Sequence, residues 1–252
     1  MPALPWYRIA LGILVWLAVW TATPAMAANL PGASEGDGEV LALTTADKRG
    51  FSAYRVGPAA AKRGILLLHP SYGLNAYTIE WADRLATEGY RVIAPDLYDG
   101  ELAEDAATAE RLQKNLNQKR ANAKLVASLR VLTAPGRKII AMGWGLGGTQ
   151  ALNATLAAPY FVSATVIYDS PFVTSVEPVR NVKSAVLVVA NATVVSAQAK
   201  RVFQSAMRAR RSKLRLFTYT TEPVSDNENY LASETAELAW RETEAFLKKF
   251  LR

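Results

Sequence analysis

A strand that runs into a cluster of glycines constrains this 252-residue chain more than any other feature. The stretch KIIAMGWGLGGTQ, residues 138–150, has the pattern of a buried strand, a glycine-rich turn and the start of a helix. Two kinds of site use such a turn. One is a dinucleotide-binding loop, whose spacing Gly143, Gly145 and Gly148 satisfy, with Asp169 as an acid at the end of the next strand. The other is a sharp elbow that presents a nucleophile, and there Gly145 occupies the nucleophile position.

The amino-terminal segment has the pattern of a cleaved leader. An apolar run, Ile9 to Trp20, follows one basic residue and precedes a small-x-small pattern that ends at Ala27. A membrane anchor is disfavoured, because the run falls short of the roughly 20 residues that span a bilayer. We expect a signal peptide over residues 1–27, a flexible lead-in over 28–38 and one folded domain over 39–252. A periplasmic or secreted location follows from this prediction.

Composition narrows the chemistry that the chain can perform. It has no cysteine, which excludes disulfides, a thiolate nucleophile and cysteine-rich zinc sites. Its one histidine, His69, would have to carry any imidazole chemistry. The net charge of +7 is mildly basic and does not indicate a nucleic-acid partner. We expect no cofactor and no bound metal.

Strand and helix patterns alternate along the chain after residue 38. EVLALT and GFSAYRV alternate like an antiparallel pair, whereas GILLLH and RVIAPDLY are continuous apolar runs on either side of a helical pattern. Strand, helix, strand is the unit of a parallel sheet. The alternation continues to a final helix near residue 250. The sequence therefore predicts one α/β domain with a doubly wound, mostly parallel sheet.

Two segments carry a family resemblance. YGLNAYTIEWADRLATEGYRVIAPDLYDG, residues 72–100, and the turn GWGLGG resemble the dienelactone hydrolase family, a branch of the α/β-hydrolase fold. The similarity extends over essentially the whole chain after the leader. It favours the hydrolase elbow, because a dinucleotide loop normally follows the first strand, whereas this turn follows at least five strand candidates.

The resemblance implies a catalytic triad that this chain lacks. Family members place a nucleophile at the elbow, typically cysteine, then an acid after a later strand and a histidine after the last strand. Here the elbow residue is Gly145, and no Asp or Glu occurs between Pro178 and Thr221. The segment after the last strand, TTEPVSDNEN, contains no histidine. We therefore expect a catalytically degenerate member, a pseudoenzyme.

The cleft that such a scaffold retains is a candidate binding site. The N–H of Leu146 opens the helix after the elbow, and with an N–H from the loop after His69 it would form an anion-binding pair. The resemblance places three aromatic side chains beside that point. The candidate cleft residues are Tyr72, Tyr98, Trp144, Gly145 and Leu146. The expected partner is a small carboxylate-bearing or carbonyl-bearing ligand, or a protein.

A second interpretation keeps some catalysis. Ser71 lies two residues after His69, so the pair would form a relocated nucleophile and base in a weak ester or lactone hydrolase. The competing interpretations are structural: a hydrogen-bonded histidine at a strand end, and a turn serine beside Pro70.

A third interpretation uses a basic segment outside the cleft. Residues 200–215 contain seven basic side chains and no acid. On a helix, one stripe would hold Lys200, Gln204, Arg208 and Arg211, and the buried stripe would hold Phe203, Ala206 and Met207. This pattern is typical of a solvated helix face, and alternatively of a module that contacts an anionic envelope surface or a partner.

Overall fold

The computed structural model describes residues 36–170, 182–192, 196–209, 213–219 and 234–251. The predicted leader and most of the predicted lead-in lie outside these residues. Near the amino-terminal end of these residues, the N–H of Gly38 donates to the Tyr54 hydroxyl at 2.6 Å. Within the described ranges, no helix is both long and apolar enough to cross a bilayer.

Fourteen elements make up the described fold. The strands are β1 (Glu39–Thr44), β2 (Gly50–Val56), β3 (Arg63–Leu68), β4 (Arg91–Pro95), β5 (Lys138–Trp144), β6 (Val162–Tyr168), β7 (Ala185–Asn191) and β8 (Leu214–Tyr219). The helices are α1 (Ala76–Thr87), α2 (Ala106–Asn115), α3 (Gln118–Leu132), α4 (Leu146–Ala157), α5 (Ala197–Ala209) and α6 (Glu234–Phe250).

The eight strands form one sheet in the order β1-β2-β4-β3-β5-β6-β7-β8. β1 pairs antiparallel with β2, and β2 pairs antiparallel with β4. Every other neighbouring pair, from β4 through β8, is parallel. The predicted mostly parallel α/β architecture is confirmed.

Helices cover both faces of the sheet, which explains why its central strands are apolar along their whole length. On one face, Trp81 and Leu85 of α1 and Phe246 of α6 pack against the strands. On the other face, Leu125 and Leu129 of α3 pack against them, and α4 and α5 extend that layer. The result is a three-layer α/β/α domain.

The sheet order fixes where a site can form. β3 and β5 are neighbours at the centre, while β4 lies on the far side of β3 from β5. Connections from the carboxyl ends of β3 and β5 therefore diverge, and ligands of open α/β sheets bind at such a point. The residues that follow these strands, His69 and Gly145, lie at this edge.

Candidate functional site

The turn from β5 to α4 has the geometry of a nucleophile elbow. Gly145 lies at its tip with φ 52° and ψ −115°, and its N–H donates to the carbonyl of Tyr168 at 2.9 Å. A Cβ built on Gly145 would meet no heavy atom of the described residues within 4 Å. The tip therefore faces open space at the position where an active enzyme of this fold presents a side chain.

The glycines on either side of the tip allow close packing of the backbone. A Cβ on Gly143 would come within 2.5 Å of the carbonyl carbon of Gly147, and a Cβ on Gly147 would come within 2.1 Å of the Leu68 carbonyl oxygen. Neither position can hold a larger residue without moving the backbone. The first turn of α4 is thus held directly against the end of β3.

The amino terminus of α4 presents unused backbone donors. Gly145 is its cap residue and provides no side-chain hydrogen bond. The first N–H groups of a helix have no partner within the helix, and the helix dipole makes this end favourable for negative charge. The N–H groups of Leu146 and Gly147 are therefore positioned to receive an oxygen atom above the elbow.

Tyr98 supplies a further donor beside the helix. Its ring packs with Leu112 and Leu146 in one apolar cluster. Its hydroxyl is buried and has no hydrogen-bond partner within the described ranges. Burial raises the pKa of this phenol, so the group stays protonated and can donate.

Tyr72 lies in a more open position. It lines a pocket of about 340 Å³ together with Ser71 and residues of α2. Its carbonyl accepts a hydrogen bond from the N–H of Ala103 at 3.0 Å. The other lining residues belong to α2, and no residue of the elbow is among them.

Trp144 lies in the core on the α1 face of the sheet. Its ring stacks on Tyr168 with centroids 4.9 Å apart and contacts Trp81 at 4.8 Å. Strand alternation explains the direction, because Trp144 shares its face of β5 with Ile140 and Met142. Trp144 therefore packs in the core behind the elbow. The open space lies at the residues that follow it in the turn.

His69 is fully buried, and both of its ring nitrogens have protein partners. Nδ1 lies 2.8 Å from the carbonyl oxygen of Pro70, and Nε2 accepts from the N–H of Leu97 at 3.1 Å. These partners select the tautomer that is protonated on Nδ1. Burial lowers the pKa of the ring and favours its neutral form. His69 therefore ties the end of β3 to the turn after β4.

His69 is not available as a base for Ser71 in the described structure. The lone pair of His69 that would accept its proton is occupied by the Leu97 N–H. A general base must reach the proton it removes. The relocated catalytic pair is thus not assembled, although Ser71 does line the pocket beside Tyr72.

An ionic network under the cleft was not anticipated from the sequence. Lys124 is fully buried, donates to the Asp96 carbonyl at 2.8 Å and lies 2.8 Å from the Asp99 carboxylate. Asp99 also pairs with Arg120. Burial raises the pKa of Asp99, but hydrogen bonds from Arg120 and Lys124 outweigh it and the net shift is downward. The signal for this network in the sequence is a lysine, Lys124, on the apolar stripe of the predicted helix.

Asp96 and Asp169 anchor backbone at two strand ends. Asp96 accepts from the N–H of Tyr98 at 2.8 Å and from that of Gly100. Asp169 accepts from the N–H of Asn191 at 2.6 Å and from the Tyr219 hydroxyl, which joins the ends of β6, β7 and β8. Asp169 adopts φ 45°, a conformation that Asp tolerates better than most residues. These carboxylates have positioning roles.

The basic helix forms as predicted in outline. Phe203 is buried against the sheet, whereas Arg208 is exposed and Lys200 and Gln204 are half-buried. Arg211 and the side chains of Ala206 and Met207 lie outside what the structure describes.

In the described ranges, no group of three His, Asp or Glu side chains could hold a metal ion.

Comparison with known proteins gives consistent findings. The model of the dienelactone hydrolase family matches residues 51–251. Protein usf of Aquifex pyrophilus is 26% identical over 219 residues, which cover 79% of this chain and 93% of that protein. A dienelactone hydrolase-like promiscuous phosphotriesterase from metagenomic libraries superposes with TM-score 0.71 at 19% identity, covering 85% of this chain and 99% of that chain.

The same fold occurs in proteins with other activities. An acylaminoacyl peptidase of Pyrococcus horikoshii superposes with TM-score 0.63 at 13% identity, covering 85% of this chain and 41% of that one. Identities this low show a shared fold alone.

The burial of His69 predicts a pH dependence of stability. Because its pKa is lowered in the fold, the unfolded chain binds more protons below the ordinary value of 6.5. The free energy of unfolding should be constant for this group above that pH. It should fall by up to about 1.4 kcal/mol per pH unit as the pH drops toward the folded pKa.

Urea denaturation of the protein and of His69→Gln between neutral and mildly acidic pH measures this effect. The glutamine can replace both hydrogen bonds but does not titrate, so the variant should lose the decline. Parallel pH profiles for the two proteins would show that His69 is not the source.

Proposed function

The chain belongs to the dienelactone hydrolase family, and from this premise we propose that it is a catalytically degenerate member that binds a small ligand in the former active-site cleft. The ligand carries a carboxylate or a carbonyl oxygen. The observation on which the proposal rests is the elbow itself: Gly145 keeps the positive φ of the turn, and open space replaces a nucleophile.

The other two catalytic positions support the loss of chemistry. β7 ends at Asn191 and β8 ends at Tyr219, and the sequence offers no acid between Pro178 and Thr221. The single histidine is held by two backbone groups at the end of β3. General acid-base catalysis of acyl transfer needs a histidine that reaches the nucleophile, and this chain has none to spare.

The binding groups that remain suit an oxygen atom of the ligand. The first N–H groups of α4 supply two donors with a favourable dipole, and Tyr98, which packs against Leu146, is a neutral phenol with a buried hydroxyl. The nearby carboxylates of Asp96 and Asp99 already accept from backbone N–H groups, Arg120 and Lys124. Because these carboxylates are already bonded, they reduce the positive potential at the amino terminus of α4 only slightly.

The alternative, a hydrolase that uses Ser71 and His69, is less well supported. It requires the His69 ring to release the Leu97 N–H and turn toward Ser71. Breaking that buried hydrogen bond leaves an unpaired backbone donor, which costs about 1–3 kcal/mol. No contact in the described structure compensates for this loss.

The proposal also places the protein outside the cytoplasm. The apolar run and the small-residue pattern that ends at Ala27 support export and cleavage.

A large side chain at Gly145 should weaken ligand binding. We expect Gly145→Leu to weaken binding of a fluorinated benzoate, or of its methyl ester, by about tenfold or more, because the new side chain occupies the space above α4. Ligand-observed fluorine NMR of the full chain measures both affinities, and the two probes distinguish a carboxylate site from a carbonyl site.

Gly136→Leu provides the matched control. Gly136 also has a positive φ, 73°, and a Cβ there meets no heavy atom of the described residues within 4 Å, but it precedes β5 at the opposite edge. This variant should bind like the parent. Equal losses in both variants would mean that the effect comes from destabilisation, and no loss in either would remove the elbow from the binding site.

Export should yield a mature protein that begins at Ala28. The expected result after expression in a Gram-negative host is a periplasmic product that lacks residues 1–27, because the leader pattern ends there. Intact mass measurement of the fractionated product checks the cleavage point. A full-length product in the membrane fraction would favour the anchor instead.

A further inference from the structure

The edge of the sheet opposite the cleft concentrates positive charge. Parallel strands all begin at this edge, and α6, which returns from β8, ends there. The described segments that enter the parallel strands and close α6 are residues 57–63, 88–91, 133–138, 158–162, 182–184, 213 and 248–251. They contain nine basic side chains and one acid, Glu88, and the start of β1 adds Asp37 and Glu39 at the same edge, where Glu39 pairs with Arg55. We call this surface the basic edge.

Its basic members are Lys62, Arg63, Arg91, Arg137, Lys138, Lys183, Lys213, Lys248 and Lys249. Arg91 and Arg137 are half-buried and hold the edge together, since they donate to the carbonyls of Gly57, Ala59 and Ala61. The other seven are exposed. Within the described ranges, the cations of Lys62, Lys138 and their exposed neighbours Arg63, Lys183, Lys213 and Lys249 form no ion pair with an acid.

The opposite edge carries charges of both signs. The described segments that leave β3 to β7 contain six acids, Asp96, Asp99, Glu101, Glu104, Asp105 and Asp169. Two of these acids pair with cations of α2 and α3: Glu101 with Arg111, and Asp99 with Arg120 and Lys124. An anionic surface would attract the basic edge, where most of the cations form no ion pair in the described ranges.

Exposed aromatic side chains lie among these cations. Tyr160 is 85% exposed, and Lys183 Nζ lies 4.1 Å from its ring centroid and donates to its hydroxyl at 2.9 Å. The half-buried ring of Phe250 has Lys213 and Lys249 at 5.4 Å each. Aromatic rings with lysines beside them are typical of surfaces that contact lipid headgroups.

We propose that the basic edge docks on a bilayer surface rich in anionic phospholipids, with the cleft facing away into solution. The lysines contact headgroup phosphates, and Tyr160 enters the interfacial layer. The exposed Arg208 in the last turn of α5 lies toward the same edge, because α5 runs from the end of β7 to the start of β8. The basic segment noted in the sequence is thus one part of a larger surface.

A lipid surface fits these observations better than a nucleic acid. Six of the nine basic side chains are lysines, which act as point charges, whereas recognition of nucleic acid favours the planar fork of arginine. Two of the three arginines, Arg91 and Arg137, donate to backbone carbonyls within the edge. A broad set of separate lysines matches a fluid array of phosphates.

Vesicle co-sedimentation of the full chain tests the proposal. We expect stronger binding to phosphatidylcholine vesicles with about 30% phosphatidylglycerol than to pure phosphatidylcholine, and loss of the difference in about 0.5 M salt. The apolar run Ile9 to Trp20 contributes to both kinds of vesicle, so the ratio of the two affinities is the quantity compared.

A charge-matched pair of variants locates the surface. The triple variant Lys138→Glu, Lys183→Glu and Lys213→Glu should lower the ratio by about tenfold or more. The control triple variant Lys48→Glu, Lys114→Glu and Lys119→Glu changes net charge equally through exposed lysines on the cleft side and should keep the ratio. Tyr160→Ala should lower affinity for anionic vesicles several-fold. Circular dichroism confirms that each variant is folded.

Three outcomes would overturn the proposal. The first is a ratio near one for the parent protein, and the second is an equal loss in both triple variants. The third is displacement from vesicles by single-stranded RNA at a lower phosphate concentration, which would assign the edge to nucleic acid. These outcomes are independent of the proposed ligand site. The variant that tests that site, Gly145→Leu, changes no residue of the basic edge.

Discussion

The reversal of the chain between β5 and α4 is the constraint on which the rest of the site depends. It requires a positive φ at Gly145 and a backbone so close to β3 that Gly147 cannot carry a Cβ. In an active enzyme of this fold, that geometry aims a nucleophile away from the sheet. Here the tip of the turn carries no side chain, so no side chain of Gly145 covers the first N–H groups of α4.

Preservation of the elbow without the nucleophile separates the fold from its chemistry. The glycines serve the packing of α4 on β3, which the domain needs whether or not it catalyses a reaction. His69 shows the same division, because both ring nitrogens join β3 to the turn after β4. A scaffold held together in this way does not depend on catalytic residues at the carboxyl edge, which is consistent with the proposed loss of acyl transfer.

Much of this could be predicted from the sequence, because the signals are periodic and local. Continuous apolar runs identified the parallel strands, and the glycine spacing identified the elbow. Tertiary contacts decided the rest. The core position of Trp144 depends on strand alternation against Trp81 and Tyr168, and the buried Lys124 depends on Asp96 and Asp99, which are distant in sequence. No local pattern reports such pairings.

The positions of the two proposed sites, at opposite edges of the sheet, connect the separate inferences. A basic edge on an anionic surface would leave the elbow accessible to a ligand in solution. The positive charge of the basic edge arises from separate turns, most of which contribute one or two basic side chains. It becomes visible only when the fold brings those turns to one edge.

The measurement that tests the central claim most directly is the intact mass of the protein after incubation with a fluorophosphonate, which reacts with activated serine nucleophiles. Since the elbow has no side chain and His69 has no free nitrogen, the account predicts an unchanged mass. A stoichiometric adduct on Ser71, lost in Ser71→Ala, would show a working nucleophile and contradict it.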